Sequence, residues 1–148
     1  CRYNLRGEFN VPFGRYKRPY FPQDELYHFA EKAQNAEFHC LSYEECMELA
    51  GVDSVVYCDP PYEPMPGTTG FTAYVAGGFS WENQVDLAKQ CVSAFHRGAR
   101  VVISNSSAPK VLDLYREHGF NLQFIKARRS ISCKSSTREV AKDVVAIL

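Results

Sequence analysis

The chain has 148 residues, 45% hydrophobic and 23% charged, with 17 basic and 17 acidic side chains that leave a formal charge of zero. That length can bury one core, so one domain is the default, and the composition excludes a disordered tail. Apolar runs are short and broken by charge and no basic-then-apolar leader opens the chain, so neither membrane insertion nor secretion is expected, and a cytoplasmic protein is.

Residues 1–22 combine Gly7, Gly14, Pro12, Pro19 and Pro22 with many aromatics and no helical period, and read as a hairpin-like or irregular segment. Pro22 and Asp24 then open a helix reaching Asn35, with Leu26, Phe29, Ala30 and Ala33 on one face. Residues 37–41 form a short strand candidate. Ser42 and Glu45 make a capping-box pattern that starts a helix ending near Ala50. The β-branched and aromatic run 52–58 is the next strand. It is stopped by Asp59-Pro60-Pro61-Tyr62, because proline cannot donate to a ladder and restricts the residue before it. Between 63 and 78, Pro64, Pro66, Gly67, Gly70, Gly77 and Gly78 mark a loop longer than a strand-to-helix connection needs, which suits a lid.

Ser80 is a good N-cap for a helix to about Arg97, which Gly98 ends, and Phe79 and Trp81 at its start read as core or staple residues. Residues 100–104 form a buried strand, halted by the polar run Asn105-Ser106-Ser107, and a helix follows from Pro109 to His118 with Gly119 as terminator. This alternation predicts an α/β fold with a mainly parallel sheet. The end differs: 121–133 and 138–148 both read as extended and, joined by a tight turn at 134–137, predict an antiparallel hairpin.

None of the six cysteines forms a Cys-x-x-Cys pair and the four histidines fall in no ligand spacing, so buried free thiols are expected and no metal. Charge is unevenly divided. Residues 1–22 set five basic side chains against Glu8 and residues 126–142 set six against Glu139, so in a neutral chain the body between them is acidic. Basic ends interleaved with Asn, Ser, Thr and aromatic residues suit phosphate contact; two solvated loops are the plainer alternative.

Asp59 to Tyr62 sit where ligands bind in open α/β sheets, at the carboxyl end of a strand. An ordinary strand-ending turn would use the same residues. The chemical reading is an exocyclic amino group. Such a nitrogen is a poor nucleophile because its lone pair is delocalised into the ring. The Asp59 carboxylate and the Pro60 carbonyl can each accept one N–H, and Tyr62 offers a face for stacking. A base in duplex DNA would first have to be flipped out.

Further stretches accompany the motif: CRYNLRGEFNVPFGRYKRPY at 1–20, LYHFAEKAQN at 26–35, VVYCDPPY at 55–62, FTAY at 71–74, ISN at 103–105 and ARRSIS at 127–132, with Thr137-Arg138. Together they resemble the Dam-type DNA adenine N6-methyltransferases, specifically their carboxyl-terminal half, in family order over nearly the whole chain. The resemblance implies methyl transfer from S-adenosylmethionine to N6 of adenine in double-stranded DNA containing GATC. It implies no metal, no membrane and a cytoplasmic, nucleoid-associated location.

By position, it makes Asp59, Pro60, Pro61 and Tyr62 catalytic, with Asp59 also next to the cofactor's methionine moiety and Ser42 and Tyr43 against its adenosine. Arg2, Pro12, Arg15 and Tyr16 match the target-recognition hairpin, where a guanidinium can read guanine and proline can meet the thymine methyl. Asn4, Asn10 and Lys17 match phosphate contacts, and Arg128 and Arg129 match a terminal hairpin near DNA.

The implied fold is a Rossmann-like class I S-adenosylmethionine-dependent methyltransferase, incomplete because its first strands are missing, with a terminal antiparallel hairpin. Family sheets run 3-2-1-4-5-7-6, and this chain would supply strands 3 to 7 without neighbours for strand 3. Residues 1–22 would be the remainder of the recognition segment and 23–148 the carboxyl-terminal part of the catalytic domain. The glycine-rich cofactor loop and the ribose-binding acid of the family do not occur here. The chain alone is therefore expected to be inactive and to need the missing amino-terminal half. A non-catalytic DNA-binding module is the rival from another class; methylation of cytosine N4 or of a protein glutamine is a rival within the enzymes.

Overall fold

A computed structural model describes residues 4, 6–9, 17, 20–67, 78–128 and 140–148. The chain divides into two compact units, Cys1–Cys40 and Leu41–Leu148.

In the first unit Asn4 closes a tight turn. Its side-chain oxygen accepts from the Arg6 and Glu8 backbone amides at 2.9 and 3.0 Å, and Gly7 takes the left-handed φ of 78° that the turn needs. Helix α1 spans Gln23–Ala33, with Asp24 and Glu25 in its first turn and Lys32 in its last, each complementing the helix dipole. It buries no residue, and the face that carries Leu26 and Phe29 is exposed. The strand expected at 37–41 is absent. Those residues form no regular element and Phe38 is exposed, as follows when a short β-prone run finds no ladder among the described residues to pair with.

The second unit holds α2 (Tyr43–Glu48), β1 (Val55–Cys58), α3 (Trp81–His96), β2 (Arg100–Ser106), α4 (Pro109–Glu117), β3 (Asn121–Arg128) and β4 (Val140–Ile147). Helices α2 and α3 start on complete capping boxes, Ser42 with Glu45 and Ser80 with Asn83. The Arg97 guanidinium, just past α3, donates to the Met47 and Ala50 carbonyls and so satisfies the carboxyl end of α2.

The described sheet has the order β1-β2-β4-β3. Only β1 and β2 are parallel, in the register Val55↔Arg100 to Cys58↔Ile103; β4 runs antiparallel to both β2 and β3. The expectation of a mainly parallel sheet is corrected to a mixed one, because the terminal hairpin inserts its second strand beside β2. That hairpin is antiparallel as expected, while residues 129–139, including its turn, lie outside the described residues.

Val101 and Ile103 of β2 and Val144 and Ala146 of β4 are fully buried, in one cluster with Leu87, Ala88, Cys91 and Ala94 of α3 and Val111, Leu114 and Tyr115 of α4. Each large apolar side chain so buried contributes about 1.5–3 kcal/mol. Phe79 and Trp81 pack against this cluster. Buried free thiols hold only in part: Cys91 is buried and Cys58 half-buried, with their sulfurs 3.8 Å apart, but Cys40 and Cys46 are exposed.

Two boundaries moved. Strand β1 begins at Val55 because Ser54 closes a turn back to Gly51 and Asp53 adopts φ 66°, outside the extended region. Strand β2 continues through Asn105 and Ser106, since these polar side chains are buried and bonded inward.

Candidate active site

Strand β1 delivers Asp59 at its carboxyl end, beside the carboxyl end of the parallel β2. The Asp59 side chain is exposed, while Pro60, Pro61 and Tyr62 are half-buried. Ser104 on β2 orients the carboxylate. Its hydroxyl lies 3.0 Å from Asp59 Oδ1 and 3.3 Å from the Cys58 carbonyl, and Tyr57 Oη is 3.1 Å from Ser104 Oγ. A serine hydroxyl has one proton. With that proton given to the carboxylate, the Tyr57 hydroxyl must be the donor to Ser104. No described residue donates to Asp59 Oδ2 or to the Pro60 carbonyl.

The rest of the loop is pinned from below. Gln84 Nε2 donates to the Pro61 carbonyl at 2.8 Å, the Glu63 amide donates to Asn105 Oδ1 at 3.0 Å, and Ser106 Oγ donates to the Glu63 carbonyl at 2.6 Å. The Glu63 carboxylate meets Lys110 Nζ at 2.6 Å, and that ammonium lies 4.4 Å over the Trp81 ring. Burial raises the Tyr62 phenol above its usual range, with the Asp59 and Asp143 carboxylates adding to it, so Tyr62 stays neutral at neutral pH. A cleft of about 410 Å³ adjoins the following segment, between Pro64 and Lys110, and none of residues 59–62 lines it. The catalytic candidates instead stand at the open strand end.

Ser42 and Tyr43 are committed to the fold. Ser42 Oγ accepts from the Glu45 amide at 3.2 Å as the cap of α2. The Tyr43 hydroxyl donates to Asp86 at 2.9 Å and its ring meets Phe79 edge-on at 6.0 Å; burial and then the Asp86 bond push its pKa up to about 12. No described hydrogen bond or ring contact joins either residue to 59–62.

Among the DNA-contact candidates, Asn4 spends its side chain on its own turn, its amide donating to Glu8 at 2.7 Å, and Lys17 is exposed. Arg128 ends β3. Arg2, Asn10, Pro12, Arg15, Tyr16 and Arg129 lie outside the described residues, as does most of the expected lid.

Sequence reasoning gave no role to Gln84 or Lys110, placed Ser104 only as the last residue of a strand, and used Asn105 and Ser106 as strand terminators. A signal was available: three polar residues directly following Val-Val-Ile are out of place in a buried strand unless each has a partner. Among the described residues no cluster of His, Cys, Asp or Glu could hold a metal, and no helix is long and apolar enough to cross a membrane.

The architecture and the loop thus define a mixed α/β domain that presents, at one strand end, a carboxylate oxygen and a backbone carbonyl without a hydrogen-bond donor among the described residues. The chain belongs to the D12 class of N6 adenine-specific DNA methyltransferases, whose family profile matches residues 1–131. It is 51% identical over 147 residues to the DNA adenine methylase of Escherichia coli (strain K12), covering 99% of this chain and 52% of that protein. It is 47% identical over 148 residues to the DNA adenine methylase of Vibrio cholerae serotype O1, covering 99% of this chain and 53% of that one. Identity to the DNA N-6-adenine-methyltransferase of Escherichia phage P1 is 48% over 147 residues, 99% of this chain and 20% of the phage protein. The chain spans about half the length of these bacterial relatives.

Proposed function

We propose that this chain carries the catalytic loop and part of the DNA-reading surface of an enzyme that methylates N6 of adenine in GATC, with S-adenosylmethionine as methyl donor. The observation that supports it most is the Asp59 carboxylate held on one oxygen by Ser104, with no donor among the described residues on its other oxygen or on the adjoining Pro60 carbonyl. These two acceptors take the two N–H bonds of a flipped adenine. They draw the nitrogen out of the ring plane, expose its lone pair, and stabilise the positive charge that builds as the new bond forms. The neutral Tyr62 ring supplies the stacking surface that offsets the loss of base stacking.

The donor set suits the cofactor: the exposed Asp59 carboxylate complements a cationic methyl donor, and Tyr43 keeps an aromatic ring half-exposed. When bound, S-adenosylmethionine supplies the electrophilic methyl group. Residues 1–22 act as the target-recognition segment and 23–148 as the carboxyl-terminal part of the catalytic domain. In the first, Arg2, Pro12, Arg15 and Tyr16 read bases and Asn4, Asn10 and Lys17 hold phosphate; in the second, Arg128 and Arg129 lie near the duplex. The strand order β1-β2-β4-β3 supports reading these as strands 4-5-7-6 of a Rossmann-like methyltransferase sheet whose first strands belong to an amino-terminal half.

The test is transfer of radiolabelled methyl from S-adenosylmethionine to GATC and scrambled duplexes, using the chain alone and the chain fused behind the amino-terminal half of the E. coli relative. Label is expected on adenine in the GATC duplex with the fusion, and little or none with the chain alone. A folded fusion that binds duplex but transfers nothing would overturn the reading in favour of a non-catalytic DNA-binding module.

A further inference from the structure

Tyr62 is gripped on both sides by one buried hydrogen-bond relay with a single allowed direction. Asn105 is fully buried and Gln84 is 2% exposed. Asn105 Oδ1 accepts two backbone amides, Glu63 at 3.0 Å and Ser106 at 2.8 Å. Only its oxygen can face those donors, so its Nδ2 must face Gln84 Oε1 at 3.0 Å and the Tyr115 hydroxyl at 3.1 Å. That in turn fixes the Gln84 amide, whose Nε2 donates to the Pro61 carbonyl at 2.8 Å. Flipping either amide would set donor against donor among buried groups. Tyr115 is fully buried, and burial holds its phenol neutral.

We propose that Asn105 and Gln84 are positioning residues that commit the Pro61 carbonyl to the fold and so leave the Pro60 carbonyl as the acceptor facing the target amino group. This rests on the methyl-transfer reading above. Of two successive carbonyls in a Pro-Pro turn, either could face a substrate; the relay decides which. It also holds the Glu63 amide, so that the loop cannot rotate about Tyr62 and close the gap between Asp59 and the Pro60 oxygen. The substrate does not touch either residue. Their effect is on geometry in the transition state, where a misplacement of about 1 Å costs on the order of a hundredfold in rate.

The experiment uses the fusion described above, with kcat and KM for a GATC duplex measured for Gln84→Leu, Gln84→Glu, Asn105→Asp and the double variant Gln84→Leu/Asn105→Asp. Gln84→Leu and Asn105→Asp should each lower kcat by about 10- to 100-fold with KM within about twofold. The double variant should lose no more than the worse single one, because both break the same relay. In Gln84→Glu the new carboxyl can donate to Pro61 only when protonated, so turnover should be low at pH 8 and recover toward about pH 6 relative to the unmodified fusion. That pH recovery is not expected of a merely structural role, and it also decides the matter if Gln84→Leu does not fold. Unchanged kcat, a loss carried by KM alone, or no recovery at low pH overturns the inference. If the unmodified fusion transfers nothing, the methyl-transfer reading has failed instead. The relay is then judged in the 148-residue chain by hydrogen exchange at the Glu63 amide, which should be slow and should quicken in Asn105→Ala; fast exchange in the unmodified chain overturns it.

Discussion

Asp59 divides its two oxygens between the protein and the solvent-facing strand end, and that division sets its expected behaviour on substitution. Ser104 holds Oδ1, so removing the whole carboxylate should cost far more than removing the serine. In the fusion, Asp59→Ala is expected to abolish methyl transfer while duplex affinity by titration changes by less than about threefold, since the carboxylate adds nothing to phosphate contact. Retained turnover would remove Asp59 from the mechanism. Tyr43 makes a different kind of statement, about stability. Its pKa is raised to about 12 by burial and by its bond to Asp86, above the ordinary 10.0 of an unfolded chain. Up to pH 10 both states hold the proton and the stabilisation is intact. Between pH 10 and about 12 the unfolded state loses its proton first, so stability falls. Denaturant unfolding across that window should therefore be steeper in pH for the unmodified chain than for Tyr43→Phe, and equal slopes would mean that Tyr43 is not perturbed.

At the scale of elements, the caps carry local energy that can be read without any substrate. Ser42 and Ser80 each accept an amide proton at the start of a helix and are answered by a side chain three residues on. Ser42→Ala and Ser80→Ala should each destabilise by about 1 kcal/mol in urea unfolding. Gly98 stops α3 at φ 97°, where a Cβ would lie 3.0 Å from Val52 Cγ2 and 3.3 Å from the Val52 Cα. Gly98→Ala should therefore cost about 1–3 kcal/mol, from strained backbone at a positive φ and from crowding against Val52, by the same measurement. These elements were legible because their signals are local: a serine answered three residues later, a glycine after the last turn, a proline pair ending a strand. The extension of β2 was not. Asn105 and Ser106 look like a loop in one dimension, and only the Gln84, Tyr115 and Glu63 partners, 10 to 43 positions away, let a buried polar strand end form. The motif at 59–62 marks the candidate site in the sequence, but its supports are long-range. Residues 37–41 failed the opposite way, since β propensity there has no partner strand among the described residues to act on.

Charge is a property of the whole chain, and it separates two uses of arginine that look alike in composition. The basic ends flank an acidic body, so net positive charge that could attract a polyanion is concentrated in the terminal segments of the sequence. If Arg128 and Arg129 contact phosphates, each neutralised contact contributes about 0.9 to the slope of log affinity against log salt. Replacing both by alanine in the fusion should lower that slope by up to about two while leaving the ratio of GATC to scrambled affinity unchanged, because phosphate carries no sequence. Arg2 and Arg15 are proposed to meet base edges. Their loss should reduce the ratio itself, by about 1–3 kcal/mol for a bidentate contact to guanine, with a smaller change in slope. The two pairs can be compared in one experiment, titrating both duplexes at several salt concentrations with each double variant. A fall in the sequence ratio for Arg128→Ala/Arg129→Ala, or a change in slope alone for Arg2→Ala/Arg15→Ala, would exchange the roles assigned to the two ends of the chain.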